Sequence, residues 1–257
     1  MDMDILSYNQ EAWNKEVEKG NEWTQPVSTQ EVEEARKGNF RMVLTPTKPV
    51  PTDWYGEIAN KKVLCLACGG GQQGPIFAAL GADVTVFDNS PAQLAQDRMV
   101  AERDCLTIRL EQGDMRDLSR FPDGSFDLIF HPVSNVFIDD VTKVWKECHR
   151  VLKSGGVLLA GFCNPITFIF DIEAWENDRL EVKYSIPYSD LEQLPKEQLR
   201  KRMEGNEPLE FGHTLEDQIG GQIQAGFAIT GLFEDTSPYG PLCKHISTFI
   251  ATKAVKL

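Results

Sequence analysis

The sequence contains no long apolar run. Nowhere among the 257 residues do about 18 apolar residues follow one another, the length that a membrane-spanning helix needs. The acidic start Met1-Asp2-Met3-Asp4 also lacks the apolar core and small-residue cleavage site of a signal peptide. We therefore expect a cytoplasmic protein that has no membrane partner.

Basic residues are scarce as well. The chain has 26 lysines and arginines against 39 aspartates and glutamates, so its formal net charge is −13. This charge repels nucleic-acid backbones and anionic lipid surfaces, so we expect no nucleic-acid partner. The length suits one substantial domain with elaborations, and we expect residues 1–257 to form a single domain. The sequence indicates no particular oligomeric state.

Cysteines number only six, too few for a disulfide scaffold at this length. Cys65 and Cys68 form a C-x-x-C pattern, which also occurs in redox and zinc sites. Residues three apart on an extended strand point to opposite faces, however, and no second cysteine pair completes a tetrahedral site. We expect mostly buried thiols and no metal.

From about residue 60 onward, strand-like and helix-like segments alternate. This alternation predicts an α/β fold with a doubly wound, mostly parallel sheet of seven strands that ends in an antiparallel hairpin. The predicted strands are 62–66, 84–87, 107–111, 126–130, 157–162, 228–233 and 245–252. The predicted helices are 74–81, 90–103, 139–153 and 214–226, the second of them capped by Ser90 and the third by Asp139 or Asp140.

Two regions fall outside this alternation. Residues 1–55 contain a capping box, Ser28 with Glu31, and we expect a helical segment there that folds over the site as a lid. Residues 165–212 form an insertion whose apolar residues alternate from Leu180 to Ile186, which predicts a half-buried strand.

A glycine cluster follows the first predicted strand. The apolar run that begins at Val63 breaks into Gly69-Gly70-Gly71, and the next apolar strand stops at Asp88, 19 residues after Gly69. Such glycines let a backbone approach a nucleotide-like ligand, and a carboxylate at that spacing accepts hydrogen bonds from a ribose. A purely conformational turn is the plain alternative for the glycines.

The glycines alone do not identify the cofactor. Gly69-x-Gly71-x-x-Gly74 also matches the dinucleotide-binding fingerprint of dehydrogenases. The sequence shows no Tyr-x-x-x-Lys of the dehydrogenase type, and Gly113-Asp114-Met115 follows the third strand, where adenine would lie. An NAD-dependent dehydrogenase is therefore an enzymatic hypothesis that the sequence disfavours.

With these motifs, residues 60–165 and 212–252 resemble the class I S-adenosylmethionine-dependent methyltransferases, most closely the small bacterial members called type 11. The segments that carry the resemblance are Ala67-Cys68-Gly69-Gly70-Gly71, Phe87-Asp88-Asn89-Ser90-Pro91, Gly113-Asp114-Met115, Phe126-Asp127-Leu128-Ile129-Phe130, His149-Arg150-Val151-Leu152-Lys153-Ser154-Gly155-Gly156 and Ala225-Gly226-Phe227. The resemblance implies S-adenosylmethionine as cofactor and a Rossmann-like methyltransferase fold.

The resemblance also implies roles for individual residues. The backbone around Ala67, Gly69 and Gly71 would pass the methionine portion of the cofactor, and Asp88 would bind the ribose hydroxyls. Around the adenine, the resemblance places Asn89, Asp114 and Met115. His131, at the end of the fourth strand, would lie near the sulfonium and the substrate as a candidate catalytic residue.

Two positions depart from the family pattern. Relatives usually have an acidic residue where Cys65 stands and a glycine where Ala67 stands. Without that acid, another group must help to hold the amino-acid end of the cofactor. The candidates are Gln73 and Trp13, together with Gln72, Tyr8, Asn9 and Trp23.

The acceptor is expected to be a small molecule. Methyltransferases that act on nucleic-acid bases often carry an Asn/Asp-Pro-Pro-aromatic motif after the fourth strand, where this chain has His131-Pro132-Val133. By resemblance, the insertion would cover the substrate site, with candidate wall residues Phe168, Phe170, Trp175, Tyr184 and Tyr188. If the acceptor must lose a proton, His131 and His213 are candidate bases. A catalytically silent protein that senses S-adenosylmethionine or joins a complex is the alternative from a different class.

Overall fold

The computed structural model describes residues 3–257, so Met1 and Asp2 of the acidic start lie outside it. A seven-stranded sheet has the order β3-β2-β1-β4-β5-β9-β8, and the pairs among β1 to β5 are parallel. Strand β9 is antiparallel to both β5 and β8. The predicted α/β fold, with its terminal antiparallel hairpin, is confirmed. The strands are β1 Lys62–Leu66, β2 Asp83–Asp88, β3 Ile108–Gln112, β4 Phe126–His131, β5 Leu152–Cys163, β6 Tyr188–Ser189, β7 Phe211–Gly212, β8 Phe227–Asp235 and β9 Phe249–Lys256.

Ten α-helical segments surround this sheet among residues 3–257. They are α1 Ile5–Lys19, α2 Thr29–Arg36, α3 Thr52–Tyr55, α4 Gln73–Ala79, α5 Pro91–Arg103, α6 Val141–Val151, α7 Ile172–Glu176, α8 Asp190–Gln193, α9 Lys196–Glu204 and α10 Gly221–Gln224. The predicted caps are present, because Ser90 accepts from the Gln93 amide and Asp140 accepts from the Thr142 amide. None of the helices in this part of the chain is long and apolar enough to cross a bilayer.

The core consists of two apolar layers, one on each face of the sheet. Val63 and Cys65 of β1 pack on the layer that contains Phe77 of α4. Their neighbours Leu64 and Leu66 pack on the opposite layer, which contains Trp145 of α6. This alternation with a period of two explains why the central strands are continuously apolar.

Several predicted boundaries are wrong. Strand β5 begins at Leu152 rather than 157, because the backbone turns extended directly after Val151, and β5 pairs with β4 through a bulge. The late helix is a π-helical turn, Glu216–Gly220, followed by α10. The last strand begins at Phe249, since residues 241–244 form a 3₁₀ turn.

The half-buried strand predicted in the insertion is absent from the structure. Val182 forms a single isolated bridge with Phe170, and 72% of its surface is exposed. The insertion instead buries a small cluster of its own, around Tyr184, Tyr188 and Leu194. Packing within the insertion therefore decides its structure, and the two-residue periodicity does not.

Within its described residues, the amino-terminal segment, residues 1–55, contains helices α1, α2 and α3, and its capping box at Ser28 and Glu31 is present. A buried side chain, Asn9, fastens α1 to the rest of the chain. Its Nδ2 donates to the carbonyl oxygens of Phe137 at 2.8 Å and Leu209 at 3.0 Å, and its Oδ1 accepts from the Leu209 amide at 2.8 Å. Helix α1 is thereby held beside the loop after β4 and the end of the insertion.

Candidate functional site

A cavity of about 1130 Å³ opens at the carboxyl ends of β1 to β5. Residues that follow these strands line it, and the amino-terminal segment covers it. Ligands of open α/β sheets bind outside the carboxyl ends of the strands, so its position is that of a cofactor site. Among the residues that line it are Trp13, Trp23, Ala67, Cys68, Gly69, Gln72, Gln73, Asp88, Asn89, Gln93, Asp114, Met115, Pro132, Val133, Cys163, Glu210 and Phe249.

The glycine loop, residues 67–71, turns sharply where β1 ends. Gly70 has a φ of +110° and Gly71 a φ of +71°, in the region that glycine tolerates best. Ala67 also has a positive φ, +47°, at the position where relatives usually have glycine. A Cβ atom on Gly69 would lie 2.7 Å from Cβ of Gln93, so this position requires a glycine.

Two acidic side chains accept all three glycine amides of this loop. Oδ2 of Asp88 lies 2.9 Å from the Gly69 nitrogen. Oδ2 of Asp97, on α5, lies 3.1 Å and 3.0 Å from the Gly70 and Gly71 nitrogens. An acid of α5 thus holds the loop that follows Cys65, but it does not line the cavity. Asp97 was not identified as a site residue from the sequence. The one signal for it was an acidic residue on the buried side of a helix.

The expectation that Cys65 and Cys68 face opposite sides of the sheet is wrong. Both thiols are buried in the same apolar layer, because the chain leaves β1 at Leu66 and Ala67 reverses its direction. Burial raises the pKa of the Cys68 thiol well above its ordinary value. Among residues 3–257 no group of three histidine, cysteine or acidic side chains could hold a metal ion.

Asp88, the expected ribose ligand, lies at the cavity with hydrogen-bonding capacity to spare. It lines the cavity, and each of its oxygens accepts one amide, Oδ1 from Ser90 at 2.8 Å and Oδ2 from Gly69 at 2.9 Å. Each carboxylate oxygen can accept a second hydrogen bond, which leaves capacity for two hydroxyls. Burial raises its pKa, and the amides of Ser90 and Gly69 oppose that shift.

The other expected nucleotide contacts also line the cavity, but each already has protein partners. Asn89 donates from Nδ2 to the Leu6 carbonyl at 2.9 Å and accepts at Oδ1 from Gln10 at 3.2 Å, so it binds α1. Asp114 pairs with Arg116, whose Nε–H is shared between the two carboxylate oxygens at 3.1 and 2.9 Å. Met115 is half-buried and presents an apolar side chain between Asp114 and the core.

Gln73 and Trp13, the expected partners of the amino-acid end, face the same cavity. Gln73 accepts at Oε1 from the thiol of Cys68 at 3.3 Å. Trp13 packs edge-on against Phe137 with ring centroids 5.0 Å apart. Nearby, Oε1 of Gln93 is buried without a hydrogen-bond partner among residues 3–257, and its side chain also lines the cavity. An unsatisfied buried acceptor at this point fits a ligand that donates a hydrogen bond.

The side chain of His131 points away from the cavity and into the core. It is fully buried, its Nδ1 lies 2.9 Å from the Leu66 carbonyl oxygen, and its ring packs edge-on against Trp145 at 5.9 Å. Burial lowers its pKa to about 4, so the ring is neutral at physiological pH. The expectation that this side chain lies beside the sulfonium therefore lacks geometric support.

The residues that line the cavity do not include Gly71, His213 or the aromatic residues of the insertion, although all of these were expected at the site. Gly71 donates to Asp97 and accepts from the Val27 amide at 2.9 Å. His213 is buried, with Nε2 3.0 Å from the Asn135 carbonyl oxygen. The insertion's aromatic residues pack on one another, as Phe168 does on Tyr188 with ring centroids 5.5 Å apart.

Beyond the glycine loop the cavity continues to the end of β5. Cys163, Phe249 and Pro132 line this part, and Glu210 is the contribution of the insertion. The Glu210 side chain is partly buried, with 36% of its surface accessible, and the residue lines the cavity. Burial raises its pKa, while Arg202, whose Nη1 lies 3.9 Å from Oε1, opposes the shift. No motif in the sequence marked this residue.

A family model and individual proteins both match the chain in sequence. A family model described as "Methyltransferase domain" matches residues 64–160. An uncharacterized methyltransferase of Bacillus subtilis (strain 168), YbaJ, is 56% identical over 253 residues, which is 98% of this chain and 99% of that protein. A ubiquinone biosynthesis O-methyltransferase of Pseudomonas aeruginosa (strain UCBPP-PA14) is 29% identical over 142 residues, 53% of this chain and 61% of that enzyme.

Solved structures share the fold. An S-adenosylmethionine-dependent methyltransferase from Mesorhizobium loti superposes with a TM-score of 0.60 at 20% identity, covering 79% of this chain and 94% of that one. A second, from Listeria monocytogenes, has a TM-score of 0.59 at 18% identity. At such identities the likeness concerns the fold alone.

Proposed function

This chain belongs to the class I S-adenosylmethionine-dependent methyltransferases, and we propose that it transfers the methyl group to a small, largely apolar molecule that carries a hydroxyl or an amine. The observation that carries this proposal is the shape of the cavity. It continues past the residues suited to the cofactor to Cys163, Phe249 and Glu210, beneath the amino-terminal segment.

The cofactor end of the cavity is formed by the following residues. Asp88 would accept the ribose hydroxyls, and Asp114, Met115 and Asn89 would hold the adenine. Gln73 and Trp13 would contact the amino-acid end; all six residues line the cavity. When bound, S-adenosylmethionine supplies a methyl group on a sulfonium, which is already activated for displacement. The protein therefore has mainly to align the acceptor and exclude water, and alignment of this kind supplies roughly 7 to 11 kcal/mol of barrier lowering.

The amino-terminal segment covers the cavity and thereby limits the size of the acceptor. Helix α1 is fastened by Asn9, and Gln72 donates from Nε2 to the Gln25 carbonyl at 3.0 Å, so the amino-terminal segment closes over the glycine loop. These contacts support a lid role for residues 1–55. The net charge of −13 disfavours nucleic acid as the acceptor.

Glu210 is the group that takes the acceptor's proton. It is the cavity-facing carboxyl group at the β5 end, and burial raises its pKa toward the range in which a carboxylate acts as a general base. This assignment replaces His131, whose side chain does not face the cavity. The insertion thus contributes to the acceptor end through Glu210 rather than through its aromatic residues.

Calorimetry followed by a transfer assay tests the proposal. We expect the full chain to bind S-adenosylhomocysteine, and to methylate at least one member of a panel of apolar phenols, alcohols, amines and thiols. Absence of binding at millimolar ligand would refute the cofactor assignment for this chain. Binding without transfer to any of the panel would instead favour the silent, ligand-sensing alternative.

A further inference from the structure

Asp97 is a buried acid that the proposed chemistry does not use. It lies on α5 with no accessible surface, and it does not line the cavity. Its Oδ2 accepts both the Gly70 and Gly71 amides, whereas Oδ1 is buried without a partner among residues 3–257. A buried carboxyl group with an unsatisfied oxygen lowers the stability of the folded protein. A role of Asp97 that compensates for this cost would explain its placement.

The space around Asp97 depends on a further glycine. A Cβ atom on Gly74 would lie 3.0 Å from Oδ1 of Asp97 and 2.6 Å from Cγ2 of Val86. The third glycine of the Gly69-x-Gly71-x-x-Gly74 pattern therefore leaves room for the Asp97 carboxyl group. This packing explains that glycine without a dinucleotide ligand.

The hydrogen bonds from the Gly70 and Gly71 amides to Asp97 hold the two residues of the loop that have the least common backbone conformation. Gly70 and Gly71 have φ values of +110° and +71°, and their amides point toward α5. The preceding amide, of Gly69, points to Asp88. All three glycine amides therefore donate to acidic side chains, and the Gly70 amide is shared with the Gln93 carbonyl oxygen at 3.1 Å. None of them is offered to the cavity.

We propose that Asp97 is the positioning residue of the cofactor site, which holds the glycine loop in its binding conformation through the Gly70 and Gly71 amides. The proposal rests on the cofactor assignment made above. Because these amides are occupied, side chains would have to hold the carboxylate of the cofactor's amino-acid end. Gln72 and Gln73 line the cavity next to the loop and carry side-chain amide groups. Asp97 acts through the loop and does not touch the ligand.

Three full-length variants test this role by calorimetry with S-adenosylhomocysteine. Asp97→Ala removes the sole acceptor of the Gly71 amide among the described residues and leaves the Gly70 amide with the Gln93 carbonyl oxygen. We expect the dissociation constant to rise about tenfold, because a buried amide without a partner destabilises the loop conformation. Asp97→Asn keeps a carbonyl oxygen for both amides and is expected to bind within about threefold of the wild type. Glu102→Ala removes an exposed acid of the same helix and serves as the matched control.

A folded Asp97→Ala variant with wild-type affinity would overturn the proposal, and so would an Asp97→Asn variant as weak as the alanine variant. If the alanine variant does not fold, amide hydrogen exchange decides. The Gly70 and Gly71 amides are then expected to exchange slowly both in the wild type and in Asp97→Asn, and fast exchange in the ligand-free wild type would contradict the role. A wild type that fails to bind the ligand refutes the cofactor assignment instead, which separates the two failures.

Discussion

Oδ2 of Asp88 lies 2.9 Å from the amide nitrogen of Gly69, which joins the end of β2 to the glycine loop after β1. The same carboxyl group accepts the Ser90 amide, at the start of α5. One side chain thus connects three segments and still faces the cavity. The residue assigned to the ribose is also one that shapes the loop.

Replacing Asp88 with alanine is expected to weaken S-adenosylhomocysteine binding by about 10- to 100-fold, because hydrogen bonds to a charged acceptor contribute roughly 1.5 to 3 kcal/mol. Asp83→Ala, an exposed acid at the other end of the same strand, is the control and should leave affinity unchanged. Calorimetry measures both. Unchanged affinity in Asp88→Ala would remove the ribose role.

Gly69→Ala is expected to lower both the melting temperature and the affinity for S-adenosylhomocysteine. The added Cβ would meet Cβ of Gln93 at 2.7 Å and Oδ2 of Asp88 at 3.1 Å, so either the loop or these side chains must move. Gly220→Ala is the matched glycine control, since its Cβ would have 3.6 Å to its nearest neighbour. Thermal melts and calorimetry of the two variants should diverge; equal behaviour would show that the loop adapts.

The stability of the protein should depend on pH through Asp97. Its folded-state pKa is raised to about 8, chiefly by burial, from an ordinary value of 3.8. Between these values the unfolded chain has lost the proton that the folded protein keeps, so this contribution to stability is full below about pH 4 and falls as pH rises to about 8. Asp97→Asn removes the titration. The melting temperature of the variant relative to wild type should therefore increase from pH 5 to pH 8, and parallel curves would contradict the assignment.

Glu210→Gln is expected to slow methyl transfer to hydroxyl acceptors while leaving S-adenosylhomocysteine affinity within about threefold of wild type, because proton transfer by a positioned group contributes about 10²- to 10⁴-fold. Glu207→Gln is the control, an exposed acid that also lies near Arg202. Rate against pH, measured with the best acceptor from the panel, checks the role. Equal rates in Glu210→Gln and wild type would exclude it.

Much of the fold was predictable because the signals are local. The continuous apolar strands, the Ser90 cap with Pro91, and the capping box at Ser28 each depend on residues a few positions apart. The alternation of strands and helices then leaves few topologies. The insertion was not predictable in the same way, because Val182 and its neighbours follow a strand period but pack on their own small cluster.

For the candidate site, the loops that meet at the sheet edge could be predicted from the sequence. The glycine loop, Asp88 and Asp114 lie at the ends of consecutive strands of a parallel sheet, whose carboxyl ends share one edge. Which side chains face the cavity depends on how the elements pack in three dimensions. In the fold, His131 is buried in the core, Glu210 of the insertion lines the cavity, and Asp97 accepts backbone amides 26 and 27 residues away. Contacts at such separation depend on how whole elements pack, and the periodicity of one segment does not contain that information.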